Sequence, residues 1–139
     1  MFPIKKISQK GDAVAYPVYD FTDNIGKSVI VEWRTGLTAR SKGALDSKLN
    51  MLAVSGTTLP PRLLAGPIKK TKHIYKLIIH ADVMLRPMLC KGPFEMDSEC
   101  TLLIGAKEIQ WKLIPGPEKA VENRNILLND KTRRKAHAW

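Results

Sequence analysis

The placement of proline constrains this 139-residue chain more than any other feature. Pro60-Pro61 and Pro115-Gly116-Pro117 bracket a central stretch that is itself broken at Pro87 and Gly92-Pro93. Proline lacks a backbone donor and pushes the preceding residue into extended geometry, so helices stop at such points. Between the breaks lie short β-branched and apolar runs at residues 73–80, 83–90 and 100–104, then Ile109, Trp111 and Leu113 alternating with polar residues. This pattern predicts an antiparallel meander, with residues 100–104 as its buried central strand. Ile74, Lys76 and Ile78 should share one face of the first strand, and Tyr75, Leu77 and Ile79 the other. Pro87 implies an edge or a bulge in the second.

Helices are expected on either side of the meander. Thr38 is a natural N-cap, Leu45, Leu49, Leu52 and Ala53 make one apolar stripe, and Gly56 suits a left-handed terminator. Pro117 opens a second helix with Glu118 in its first turn, and places Ala120, Val121, Leu127 and Leu128 on one face that Arg124 shares. Residues 28–33 read as a strand from their β-branched character, and residues 14–19 as a shorter one. The fold class is therefore α+β, a small antiparallel sheet packed with two or three helices. The organisation predicted is a lead-in over residues 1–28, a single domain over 29–130, and a disordered basic tail over 131–139.

Lys and Arg number 23 against 13 Asp and Glu, giving a net charge of +10. So basic a chain points to a polyanionic partner, although a merely solvated charged face fits the same count. Hydrophobic residues make up 44% of the sequence, which suits a folded domain, and no stretch approaches the roughly 18 apolar residues of a membrane helix. The opening Met1-Phe2-Pro3-Ile4-Lys5-Lys6 has no apolar core of a signal peptide, so a cytoplasmic protein without membrane contact is expected. Cys90 and Cys100 read as small buried hydrophobes rather than a disulfide.

Several chemistries lack their motifs. The sequence contains no C-x-x-C, H-E-x-x-H or G-x-S-x-G. Gly26-Lys27-Ser28 ends like a phosphate-binding loop, but Phe21 stands where its first glycine belongs. The spacing of His73, His80, Cys90 and Cys100 fits no metal site, and no metal or cofactor is expected. The cations are more informative. Arg62, Lys69, Lys70, Lys72, Lys76, Arg86 and Lys91 face a single acid, Asp82, between residues 62 and 91. Carried on adjacent strands, such charges would make a cationic concavity able to bind a nucleic-acid backbone, or to stabilise the charge that builds up when a phosphodiester is cut. Tyr75 beside them is a candidate for stacking on a base.

The run Lys69-Lys70-Thr71-Lys72-His73-Ile74-Tyr75-Lys76-Leu77, then Met84-Leu85-Arg86-Pro87-Met88-Leu89, then Leu102-Leu103-Ile104-Gly105-Ala106-Lys107-Glu108, resembles the RelE/ParE toxin superfamily, in particular its phage-derived HigB-like branch. A Leu-rich helix ahead of Leu63-Leu64-Ala65-Gly66 and the Pro-led segment Pro117-Glu118-Lys119-Ala120-Val121-Glu122-Asn123-Arg124 complete the likeness, over about residues 29–130. The resemblance implies a RelE-like fold and a toxin of a type II toxin–antitoxin pair. It implies a metal-independent endoribonuclease that cleaves mRNA on the ribosome by attack of a ribose 2′-OH on the adjacent phosphate, with mRNA, the ribosome and a cognate antitoxin as partners. It gives catalytic roles to Arg86, Lys107 and Lys72, with Arg86 clamping the transition-state charge. Lys69, Lys70, Lys76, Tyr75, Arg133 and Arg134 would bind the nucleic acid. The carboxyl-terminal acid or base of several family nucleases has only His137 as its counterpart here, beyond the matched stretch. The alternative reading is a non-enzymatic nucleic-acid-binding protein or a ParE-like inhibitor.

Overall fold

The computed structural model describes residues 16–139, Asp97 excepted. Its order is β1 (Val18–Phe21), α1 (Val29–Thr35), α2 (Ala39–Ser55), β2 (Leu64–Ala65), β3 (Ile74–Leu77), β4 (Ile79–His80), β5 (Met84–Leu85), β6 (Met88–Lys91), β7 (Cys100–Ile104), β8 (Lys107–Ile109), β9 (Lys112–Ile114), α3 (Pro117–Asn129) and β10 (Arg134–Ala136). A six-stranded sheet runs β10-β1-β7-β6-β3-β2, and a four-stranded sheet runs β4-β5-β8-β9. All pairings are antiparallel except β1 with β7, which is parallel. The protein is α+β, with three helices among the described residues.

The two sheets share one meander. The order β3-β6-β7 in the large sheet becomes β4-β5-β8 in the small one, because each strand crosses from one to the other at a short break: Ile78, Arg86-Pro87 and Gly105-Ala106. Pro87 therefore sits at a bend, where a missing N–H is harmless, and its carbonyl accepts from the Leu77 N–H at 3.0 Å. The expected strand 73–80 is divided at the same bend. Its faces alternate as predicted: Leu77 and Ile79 enter the cluster beneath α1 and α2, with Tyr75 packed against it, whereas Ile74 enters the cluster beneath α3. β7 sends Leu102 to the first cluster and Leu103 to the second. A strand covered on both faces needs an unbroken apolar run, which is why residues 100–104 stood out in the sequence.

Helix α2 follows its pattern, with Thr38 as N-cap, Leu45, Leu49, Leu52 and Ala53 buried, and Gly56 closing it at φ 60°. Residues 28–33 do not. Ser28 caps a helix instead of opening a strand: its Oγ accepts from the Val31 N–H (3.0 Å) and donates to the buried Asp20 (2.7 Å). The cap and the burial of Ile30 override the β preference of Val29, Ile30 and Val31. Trp33 then lies so close to Gly105 that a methyl group there would come within 2.0 Å of the indole.

Residues 107–113 are a hairpin and not one strand. Gln110 and Trp111 form its turn with φ of 49° and 69°, leaving Trp111 92% exposed. In α3, Ala120 and Leu127 are buried as expected, but the third buried residue is Asn123, whose amide donates to the Leu103 carbonyl (2.9 Å), and Leu128 points outward. The tail expected to be disordered supplies β10, which pairs with β1, and His137 Nδ1 reaches the Asp20 carboxylate at 2.8 Å. Both the lead-in and the tail thus contribute strands to the main sheet. Of the short strand expected at 14–19, the first two residues, like the remainder of the lead-in before Tyr16, lie outside the described residues.

Candidate anion-binding surface

The loop of residues 66–73 leads into β3 and is held by its own backbone. Ile68 N–H donates to the Ile74 carbonyl (2.7 Å), and Thr71 donates to the Ile68 carbonyl through both its N–H (2.9 Å) and its hydroxyl (2.7 Å). Lys70 takes a left-handed φ of 71° at the tip, a conformation that costs a side-chain-bearing residue roughly 1–2 kcal/mol. Lys69, Lys70, Lys72 and His73 are all exposed. The loop faces the middle of α3, and between them lies a recess of about 250 Å³ with Ile74 and Val121 in its wall and Arg124 and Asn125 on the helix side.

Arg124 is the unusual member. It projects from the half-buried face of α3 toward Cys90, and its Nε is buried without a hydrogen-bond partner. Burial pushes the Cys90 thiol up to about 11, while the neighbouring guanidinium pulls the other way. His73 is held below the ordinary histidine value, by loss of solvent first and then by the charges of Arg124 and Lys72. The local field is therefore positive.

The other residues anticipated as a site are dispersed. Arg86 is 5% exposed and belongs to the bend between the sheets. Its Nε meets Glu108 at 3.2 Å, and its Nη1 donates to the carbonyls of Leu85 (2.8 Å) and Ile79 (3.4 Å). Lys72 lies on loop 66–73, ahead of β3, whereas the backbone carbonyl that Arg86 reaches is that of Ile79, past the bend at Ile78. Lys107 is half-buried and adjoins Glu108 in β8, so strand alternation turns it away from the face that holds Arg86. Arg86 and Lys107 thus point to opposite faces of the small sheet, and Lys72 belongs to the loop ahead of β3.

Among the expected binding residues, Arg134 pairs with Glu99 (2.8 and 3.1 Å) and stacks on Tyr19 and Phe94, and Arg133 lies over Phe21 and donates to the Thr22 carbonyl. Tyr75 is half-buried, with the Lys91 ammonium 4.8 Å over its ring. Lys76 is half-buried within β3. Only Lys69, Lys70 and Lys72 of the expected set lie on the loop. Arg124, His73 and Asn125 join the last two at the recess, and the sequence offered one signal for them, a cation set in the apolar face of α3. Among the described residues, no group of three or more His, Cys, Asp or Glu is placed to hold a metal ion, and no helix is long and apolar enough to cross a membrane. No protein-family model matches the chain, and comparisons with curated proteins and with solved structures return no match.

Proposed function

We propose that this chain is a RelE/ParE-like α+β protein that binds a nucleic-acid strand through its phosphates, without cleaving it, on the surface formed by loop 66–73 and α3. One observation carries the reading. Arg34, Arg40, Arg86, Lys119 and Arg134 each have a carboxylate partner; Lys69, Lys70, Lys72 and Arg124 are among the cations with none among the described residues, and these four lie together on one loop and the helix facing it. Unpaired cations gathered on one surface gain by displacing the counterions of a polyanion. Arg86 is buried, with its Nε on Glu108 and its Nη1 on backbone carbonyls, and so is committed to the bend between the sheets.

The test is the salt dependence of binding to a single-stranded RNA. Three phosphate contacts give a slope of log affinity against log salt of about −2, and Lys69→Gln or Lys72→Gln should each reduce it by about 0.7. Absence of binding at 50 mM salt, or slopes unmoved by both substitutions, overturns the proposal.

The toxin reading, an mRNA endoribonuclease of the ribosome restrained by a cytoplasmic antitoxin, is favoured by the order of elements. The Leu-rich α2 precedes residues 63–66, the Ile-Tyr-Lys-Leu phrase falls on β3, and the Pro-led helix follows the apolar β7. Induced expression separates the two. Growth arrest with new mRNA ends supports the nuclease, arrest with intact mRNA supports a ParE-like inhibitor, and unimpeded growth supports the binder.

A further inference from the structure

The geometry points to the recess between loop 66–73 and α3 as a phosphate subsite, in which Arg124 is the central ligand and Lys70, Lys72, His73 and Asn125 surround the anion. This inference rests on the nucleic-acid reading above and assigns that surface its ligand-holding residues.

The lining is one-sided. Lys70, Thr71, Lys72, His73, Arg124 and Asn125 line about 250 Å³, and no carboxylate-bearing residue lines it. A phosphate group fits that volume with room for part of a sugar. The walls of Ile74 and Val121 exclude water from one side and so strengthen each charge-assisted contact made there.

Arg124 makes the recess more than a solvated patch. A guanidinium drawn out of water gains from a counter-charge, which Glu108 supplies to Arg86 and Glu99 to Arg134. Arg124 instead rests against the neutral Cys90 thiol with its Nε buried and unpartnered. A tetrahedral anion in the recess supplies the counter-charge that Arg124 lacks among the described residues. It accepts from a planar guanidinium at two oxygens and leaves the others to Lys70, Lys72 and the Asn125 amide.

The recess serves either an internal phosphodiester or a terminal phosphate of the strand, and the experiment separates them. Backbone amide spectra of the full chain are followed during titration with inorganic phosphate, then with a short RNA carrying a 5′-phosphate and the same RNA with a 5′-hydroxyl. The expected result is movement of the signals of residues 70–74 and 121–125 with phosphate. Arg124→Gln should weaken phosphate and RNA by about tenfold or more, and the exposed double variant Lys70→Gln/Lys72→Gln, which leaves the core untouched, should do likewise. Preference for the 5′-phosphate assigns a strand end, and equal affinity assigns an internal phosphate. If phosphate moves none of these signals and Arg124→Gln binds RNA like the parent while Lys70→Gln/Lys72→Gln still weakens it, the subsite is wrong while the binding surface stands; if both variants bind RNA like the parent, the surface falls with it. If neither phosphate nor RNA binds, both fall. If an acidic peptide alone moves the same signals, the occupant is a protein carboxylate and the inference is refuted.

Discussion

The pairing of Arg86 with Glu108 makes a demanding prediction about what Arg86 does. The guanidinium is almost wholly buried, the carboxylate is about one-fifth exposed, and both lie where three strands pass from one sheet to the other. Removing one member of such a pair leaves an uncompensated charge in low dielectric, which costs about 3–5 kcal/mol, and the partial exposure of Glu108 argues for the lower end. Glu108→Gln should therefore destabilise the fold by about 3 kcal/mol, and Arg86→Met, which leaves Glu108 unpaired and also strands the Leu85 and Ile79 carbonyls, by at least about 3 kcal/mol. The double variant Arg86→Met/Glu108→Leu removes both charges and fills the space but still strands the two carbonyls, so it should lie about 1–3 kcal/mol below the parent, clearly better than the sum of the singles. Urea unfolding of the four proteins measures the cycle, and the single variants should lose roughly 10 °C in Tm. A Glu108→Gln protein within about 1 kcal/mol of the parent, or a double variant no better than the sum of the singles, would refute the structural role. The outcome also governs functional assays, because an Arg86 variant that loses activity by unfolding says nothing of phosphate chemistry.

Three further outcomes are expected. Burial raises the Glu99 carboxyl, but the Arg134 hydrogen bonds and the N–H groups of Glu95 and Phe94 outweigh it, leaving it below 4.5 in the fold. Its contribution is complete above that value and lost as pH falls through the folded one, so the stability gap between parent and Glu99→Gln should narrow as unfolding is measured from pH 6 to pH 3. Burial holds the Cys90 thiol up at about 11, and Cys100 is raised by burial too and then by Cys90; with thiolate near one part in a thousand at pH 8, a colorimetric thiol reagent should count both cysteines in urea and neither in the native protein. Gly105→Ala should destabilise by at least about 2 kcal/mol, since the added methyl collides with Trp33, and a shift of tryptophan emission should report the displaced ring.

Much of the fold was legible where a residue's role is local. Thr38 and Gly56 bound α2 because capping depends on a handful of neighbouring atoms. Pro117 starts α3 for the same reason, and the apolar run of residues 100–104 declares burial on two faces. Failures came where a distant partner decides. Ser28 starts a helix because Asp20 receives its hydroxyl, and residues 134–136 become a strand because β1 offers an open edge. Lys107 to Leu113 alternate as a strand would, yet Gln110 and Trp111 turn the chain back, a reversal usually signalled by Asn-Gly. The site divides similarly. The loop lysines were readable as exposed cations, whereas no spacing rule announces that Glu108 neutralises Arg86 or that Arg124 lacks a counterpart.

The seating of β1 has a consequence for how the chain comes together. Its neighbours are β7 and β10, and the contact from Asp20 to His137 spans 117 residues. The meander closes from near neighbours, but its outer flank waits on the slowest kind of encounter, between segments far apart along the chain. Until that moment the most apolar strand, β7, presents a bare row of amides and carbonyls to any other strand in solution. The closing segment is thus a guard on solubility: a chain cut after residue 130 would leave β1 open on one side and invite pairing between molecules in place of pairing within one.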